Sequence, residues 1–478
     1  MNRRQLLQLL AASALCYPQL GRAGDGLPAL VRLIEQTPRD QLTAKIIVLI
    51  RQGLGRDALL WAIQLAGMRQ IQPRPVGFKF HAVMMVDAAR QLAQGESGPM
   101  GWVPILWNLD YFKFSQQRNL ATGGWQLKAF HGVVPAPAES LQMLEQGLQQ
   151  RDEHNVDAAA MAVSQQHGLH RVFETLAHYA VRDFHSIGHK AIYLCHSWRQ
   201  LQRAGGQQSD WVVRALAYAL IAEGDVAAQD AHWTRADYAA NVRRADALPL
   251  SALRAGSDVA VTAELVQLLG QASAEECCEA VVARLQAAPV QAVWDGVFLA
   301  AAERVLQQPT IPMLHCVTVS HAIAWLWRQS ADPANRNLLL LQAVAYLARM
   351  REQRWAGRPA VITLNDLVAG RPAQSVSAPQ QRELIRESLG QAGALARTQL
   401  LSYPYATDWP ALREVLLQSV RRKSNQAHDF KYAAAVLEML HWLSPQYWPR
   451  WLAATSVLLP GATKPDSTEA SRVTEWLG

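Results

Sequence analysis

The sequence predicts an all-α protein, a large multi-helix globular bundle, and three observations lead there. Apolar residues recur at helical spacing in segment after segment. Alanine, leucine, glutamine and arginine, all good helix formers, dominate those segments. Period-two alternation is nearly absent, and Ala360 to Leu364 is the best short strand candidate. At 478 residues, half of them apolar and 18% charged, the chain has a soluble globular composition and the length for a large core.

In chain order, Met1-Asn2-Arg3-Arg4 is a basic start, Leu6 to Leu15 a short apolar core broken by Gln8, and Gly21-Arg22-Ala23 a small-residue cleavage site. The paired arginines followed by Gln5-Leu6-Leu7 make residues 1–23 a twin-arginine-like export signal, which predicts a periplasmic or exported protein. The plain alternative is an ordinary N-terminal helix and a cytoplasmic protein. Residues 24–455 are expected to form one helical domain and 456–478 a flexible tail. The spacing predicts helices at Ala44 to Ala66, Phe80 to Gln94, Asp157 to His178, Asp183 to Ala204 and Trp211 to Gly224. Further helices are predicted at Ala274 to Ala287, Trp294 to Gln307, His315 to Gln329, Asn337 to Arg354, Gln380 to Leu400, Trp409 to Val420 and Ala427 to Leu443. Gly95 to Met100, Pro135 to Pro137, Gly205 to Asp210 and Arg371 to Pro379 read as loops. Phe80-His81 and Phe184-His185 each precede an amphipathic run, a faint echo of an internal duplication.

Several function classes fall away. The formal charge of +7 is spread over scattered arginines, with one dense run at Arg421-Arg422-Lys423 and no aromatic stacking motif, so nucleic acid is not the expected partner. No window holds the roughly 18 to 20 uninterrupted apolar residues of a membrane-spanning helix. Apart from Cys16, the cysteines (Cys195, Cys277, Cys278 and Cys316) form no C-x-x-C pair and read as buried structural thiols. No phosphate-binding loop, dinucleotide fingerprint or nucleophile elbow is present.

What remains is histidine. His81, His185 with His189, His315 with His321, and His428 with Lys431 lie far apart in the chain, each in an apolar helical context. Imidazoles gathered from several helices are the usual way an all-helical protein builds a metal site. His185 and His189 are four apart and, on one helix, would share a face; no H-E-x-x-H glutamate lies between them, so a zinc protease is not indicated. His178, His185, His189 and His196 together read as a stripe. His315 and His321 are six apart and diverge on a helix. His428 and Lys431 face the same way, and a buried Lys431 would favour the neutral amine, able to act as a base or to take up carbon dioxide as a carbamate. For each of these the bland alternative is a packed core histidine, or a lysine that reaches the surface.

Phe80-His81, Phe184-His185 through His189, Leu314-His315-Cys316-Val317-Thr318 and His428-Asp429-Phe430-Lys431 resemble, in order and spacing, the F-H, F-H-x-x-x-H, L-H-x-V-T and H-x-x-K segments of the questin oxidase-like family. The resemblance spreads over roughly residues 60 to 450. It implies a helical, non-flavin oxygenase that opens aromatic or quinone-like rings in a Baeyer–Villiger-type oxidation, with dioxygen as co-substrate. It also implies a mononuclear ferrous iron held by His81, His185, His315, His428 and a carboxylated Lys431, with His189 and His321 as catalytic groups beside the ligands or in their place. Two other readings stand beside it. His428-Asp429 is an H-D dipeptide, as in helical metal-dependent phosphohydrolases, and a non-catalytic exported helical protein would bury the same histidines for packing.

Overall fold

The computed structural model of the chain describes residues 26–74, 76–221, 233–248, 256–352, 362–367, 376–390 and 394–478. The export-signal segment, residues 1–23, lies outside them, as do residues 360–361 of the strand candidate and 371–375 of the expected linker. The described residues form an all-α fold without strands. In chain order the helices are α1 (Leu27–Gln36), α2 (Arg39–Arg51), α3 (Arg56–Gln70), α4 (His81–Met84), α5 (Val86–Ala93), α6 (Val103–Ala121), α7 (Pro137–Gln150), α8 (Glu153–Gln166) and α9 (Leu169–Ala180). There follow α10 (His189–Arg203), α11 (Ser209–Leu220), α12 (Trp233–Ala247), α13 (Val259–Gln271), α14 (Ala274–Leu285), α15 (Val290–Gln307), α16 (Ile311–Gln329) and α17 (Pro333–Glu352). The last six are α18 (Ala378–Ser388), α19 (Ala394–Leu401), α20 (Tyr405–Lys423), α21 (Ala427–Met439), α22 (Trp448–Thr455) and α23 (Thr468–Leu477).

Where the structure departs from the periodicity, the interruption has a local cause. The run Ala44 to Ala66 is two helices, because the chain turns at Gly53 (φ 101°) between α2 and α3. Asp157 to His178 is broken between α8 and α9 at His167-Gly168. Gln380 to Leu400 is broken after α18, with Gly390 at φ 70°. Asp183 to Ala204 becomes helical only at His189, because Ile187 (φ 48°) and Gly188 (φ 83°) are left-handed, a conformation that cannot continue a right-handed helix. Phe184-His185 therefore opens no helix, whereas His81 is the first residue of α4; the two Phe-His segments are not copies of one local structure. The expected tail carries α23, started by Ser467, whose hydroxyl accepts from Ala470 N.

The described residues divide into two compact units. The first comprises residues up to Leu169, His196–Ile221 and Asp466–Gly478. Within it α1 and α6 lie against α3, α5 lies on α6, α7 pairs with α8, α11 bridges α8 and α3, and α23 rests on α2 and α6. Its most buried charge is Asp87, whose carboxylate meets Arg199 at 2.9 Å, Arg203 at 3.2 Å and Arg90 at 3.5 Å. Burial opposes that ionised carboxylate, and the guanidiniums hold its pKa below the ordinary value.

The second unit comprises His170–Cys195 and residues 222–465. Its centre is a layer of α15, α16 and α17 in mutual contact. Every residue of α16 from Met313 to Trp327 is buried, the pattern of a helix that is surrounded on all sides. Around this layer α13 covers α15, α12 and α14 cover α17, α21 lies along α16, and α22 lies on α15. The outer helices are begun by side chains that satisfy otherwise orphaned N–H groups: Asp258 accepts from Ala260 N and Val261 N at α13, and Ser273 and Glu276 form a capping box at α14. Among the described residues the cysteines Cys195, Cys277, Cys278 and Cys316 are all buried and form no disulfide. Burial pushes the Cys277 thiol up to about 11 and those of Cys278 and Cys316 up to about 12.

Candidate metal centre

Three helices of the second unit bring histidines together, and each does so for a local reason. At the start of α10, Asp183 and Lys190 form a fully buried ion pair (2.8 and 3.0 Å) that closes the turn between them. Left-handed Ile187 is rare for a β-branched residue and is expected to cost about 1 to 3 kcal/mol. The turn is held by the ion pair and by Tyr346, whose hydroxyl donates to Ile187 O at 3.2 Å. Gly188 then passes α16 so closely that a Cβ would stand 2.5 Å from Val319 Cγ2. No other residue type fits both that space and that φ. The approach delivers His189, the first residue of α10, to His315, which lies one turn before Val319 on α16.

His189 Nε2 lies 3.1 Å from His315 Nε2, with ring centroids 4.6 Å apart. His428 comes from α21, its ring centroid 5.3 Å from that of His315 and a ring nitrogen within 4.8 Å of one of His189. Lys431, three residues further along α21, shares the face of His428. It is 2% exposed, and its Nζ makes no hydrogen bond.

The tautomers follow from the partners. His189 Nδ1 donates to Ser186 O, and His315 Nδ1 donates to Ile311 O at 2.7 Å. A carbonyl oxygen only accepts, so each Nδ1 carries the hydrogen, and a neutral imidazole has only one. Both facing Nε2 atoms therefore carry no hydrogen and present lone pairs 3.1 Å apart. Two acceptors at that distance repel unless a proton or another cation stands between them. The proton is disfavoured: burial, with Lys431 nearby, pushes His315 down to about 3 and His428 down to about 2, and burial with the charges of His315 and Lys431 holds His189 well below its ordinary range. Lys431 is itself pushed down to about 7 by burial. The separation is instead that of two nitrogens roughly 2.1 Å from a common ion at about a right angle. The residues present thus fit a metal ion whose donors are neutral imidazoles, with a lysine amine beside them.

The other sequence-predicted residues lie as follows. His185 sits half-buried in the turn ahead of α10, so it does not share a helix face with His189, and the turn dissolves the expected stripe from His178 to His196. His178 Nδ1 donates to Asn335 Oδ1 (3.0 Å) in the second unit. His196 is hydrogen-bonded to Met84 O in the first. His81 is buried at the start of α4, in the first unit. His321, about 9 Å along α16 from His315 by helix rise, is bonded through Nε2 to Glu438 Oε2 at 2.7 Å and stacked on Trp442. Cys195 Sγ lies within 4.8 Å of a His321 ring nitrogen. Sequence reasoning missed Glu438, which falls on the Lys431 face seven residues on, and the Asp183–Lys190 pair. The glycine between His185 and His189 was the one signal that those two histidines do not share a helix.

The second unit is thus an α-helical scaffold with a buried, imidazole-lined and lysine-bearing centre. No known family, curated protein or solved structure matches the chain.

Proposed function

We propose that His189, His315 and His428, with Lys431, hold one divalent metal ion, and that the protein is a non-haem iron oxygenase acting with dioxygen on an aromatic or quinone-like small molecule. The observation that carries the metal is the pair of unprotonated Nε2 atoms facing each other at 3.1 Å. Imidazole donors suit several first-row metals; the choice of iron, and of the substrate class, comes from the resemblance to the questin oxidase-like family. A bound ferrous ion would supply the electrons that let dioxygen react with a closed-shell organic molecule.

The chain's own residues supply the rest. The carbonyls of Ser186 and Ile311 fix the two imidazoles in the tautomer that presents Nε2. Three neutral imidazoles leave the charge of a divalent ion uncompensated. Lys431 halves that imbalance if its neutral amine adds carbon dioxide, forming an N–C bond and releasing one proton to give an anionic carbamate. Its burial, its lack of a hydrogen-bond partner and its lowered pKa support this. The twin-arginine-like start further suggests export after folding, so that the centre would be assembled in the cytoplasm.

The phosphohydrolase reading draws no support from Asp429. Its carboxylate accepts from Asn425 N and Gln426 Nε2, both at 3.1 Å, at the start of α21. It is occupied as a helix-terminal acceptor.

Metal analysis by mass spectrometry on anaerobically purified protein tests the proposal. Near-stoichiometric iron in the native protein is expected, with affinity lowered at least about tenfold by His315→Ala or His428→Ala. Metal content unchanged in both variants would refute the site. Zinc in place of iron would keep the site and refute the oxygenase. His81 and His185, which the resemblance adds to the ligand set, are judged by the metal content of their own alanine variants.

A further inference from the structure

The second unit contains a cavity of about 570 Å³ on helices that carry none of these histidines. Gln267 and Gly270 of α13 form one wall, Glu303, Arg304 and Gln307 of α15 the other, with Asn365 and Arg450 also lining it. Arg304 is only 7% exposed. Its Nη1 donates to Gln307 Oε1 at 2.9 Å and its Nη2 to Leu269 O at a long 3.4 Å, while Nε makes no hydrogen bond. Glu303 Oε2 stands 3.5 Å from Arg304 Nη2, while its Oε1 accepts from Leu364 N at 2.9 Å. A guanidinium carries five N–H donors, so this one keeps donors to spare, Nε among them, in a setting where buried donors are normally satisfied.

Gly270 is what leaves that guanidinium uncovered. It lies in the last turn of α13, and a Cβ there would meet only Arg304 Nη2, at 4.0 Å. Glycine costs a helix about 1 kcal/mol relative to alanine, and nothing in the packing around this position requires it. Charge gives the sign of the ligand. Glu264 on the cavity wall is taken by Arg284 and Glu303 faces Arg304, which leaves Arg450, an exposed cation, unbalanced. The volume falls in the range of small-molecule sites.

We propose that this cavity binds a small dicarboxylate, one carboxylate received by Arg304 over Gly270 and the other by Arg450. Side-chain amides at Gln267 and Asn365 make the walls polar enough for such a ligand. The site is independent of the metal centre and stands or falls separately.

Isothermal titration of the full-length protein with succinate, and with butyrate as the four-carbon monocarboxylate, tests it. Saturable succinate binding is expected, at least about tenfold tighter than butyrate. Gly270→Leu, which covers the Arg304 guanidinium and gives α13 a better helix former, is expected to abolish binding with no loss of thermal stability. Arg450→Gln, at an exposed position, should bring succinate to the affinity of butyrate. Absence of saturable succinate binding up to about 10 mM, or binding unchanged in Gly270→Leu, would overturn the proposal.

Discussion

Replacing Lys431 with methionine is expected to stabilise the metal-free protein while destroying the centre. Burial holds the Lys431 ammonium at a pKa of about 7 against an ordinary value of 10.5. Between those two values the unfolded chain binds a proton that the folded chain does not, so stability rises with pH by roughly 1.4 kcal/mol per pH unit. Below pH 7 lysine is charged in both states and the folded protein bears the full desolvation cost. At pH 7 that cost is roughly 4 kcal/mol, and at pH 8.5 it has fallen by roughly 1.7 kcal/mol. Methionine of similar length removes the charge without leaving a large cavity. The assay is urea unfolding followed by circular dichroism, on metal-free wild type and Lys431→Met at pH 7 and pH 8.5. The variant should be the more stable at pH 7 by up to about 4 kcal/mol, and the gap should narrow by roughly 1.5 to 2 kcal/mol at pH 8.5. Lys113, pushed down to about 8 by burial, adds a similar slope, but it is common to both proteins and cancels. A variant less stable than wild type at pH 7, or a gap that does not change with pH, would refute the reasoning.

Gly188→Ala should cost about 2 to 4 kcal/mol in the same unfolding assay, from its positive φ and the contact with Val319 together, and should lower metal content with it. Adding Val319→Ala should relieve the contact but not the backbone strain, so only partial recovery is expected. Asp183→Asn leaves the Lys190 ammonium buried without its counter-charge and should cost about 3 to 5 kcal/mol. Glu438→Gln weakens the acceptor of His321; a loss of about 1 to 3 kcal/mol is expected, with bound metal retained, and loss of metal would instead place that pair in the centre.

The all-α fold was legible because helical spacing and helix-forming composition persist through most of the chain, and α15 to α17, whose buried residues run almost without a break, form the central layer of the second unit. Helix ends were less legible. Ile187 and Gly188 stop a helix whose apolar period continues unbroken on either side, since periodicity records which residues are buried and not the sign of φ. Of His185 and His189, the second is the one that the structure sets against His315. Gly188 could have warned of it, but a glycine at that point reads equally as a tolerated interior residue until Val319 is known to press on it. Glu438 went unseen because no pattern within α21 announces a partner on α16. Lys431 and His428 were readable as a pair because their spacing of three is local.

The four buried thiols have a consequence for where this chain can work. At a pKa of 11 to 12 those of Cys277, Cys278 and Cys316 hold a thiolate fraction of roughly one part in ten thousand or less at neutral pH. Thiolate is the species that attacks disulfides and is oxidised, and Cys195 is equally enclosed. A shift from a reducing to an oxidising compartment would therefore find almost nothing to react with. These four residues neither staple the fold in an oxidising compartment nor have to be kept reduced in a reducing one.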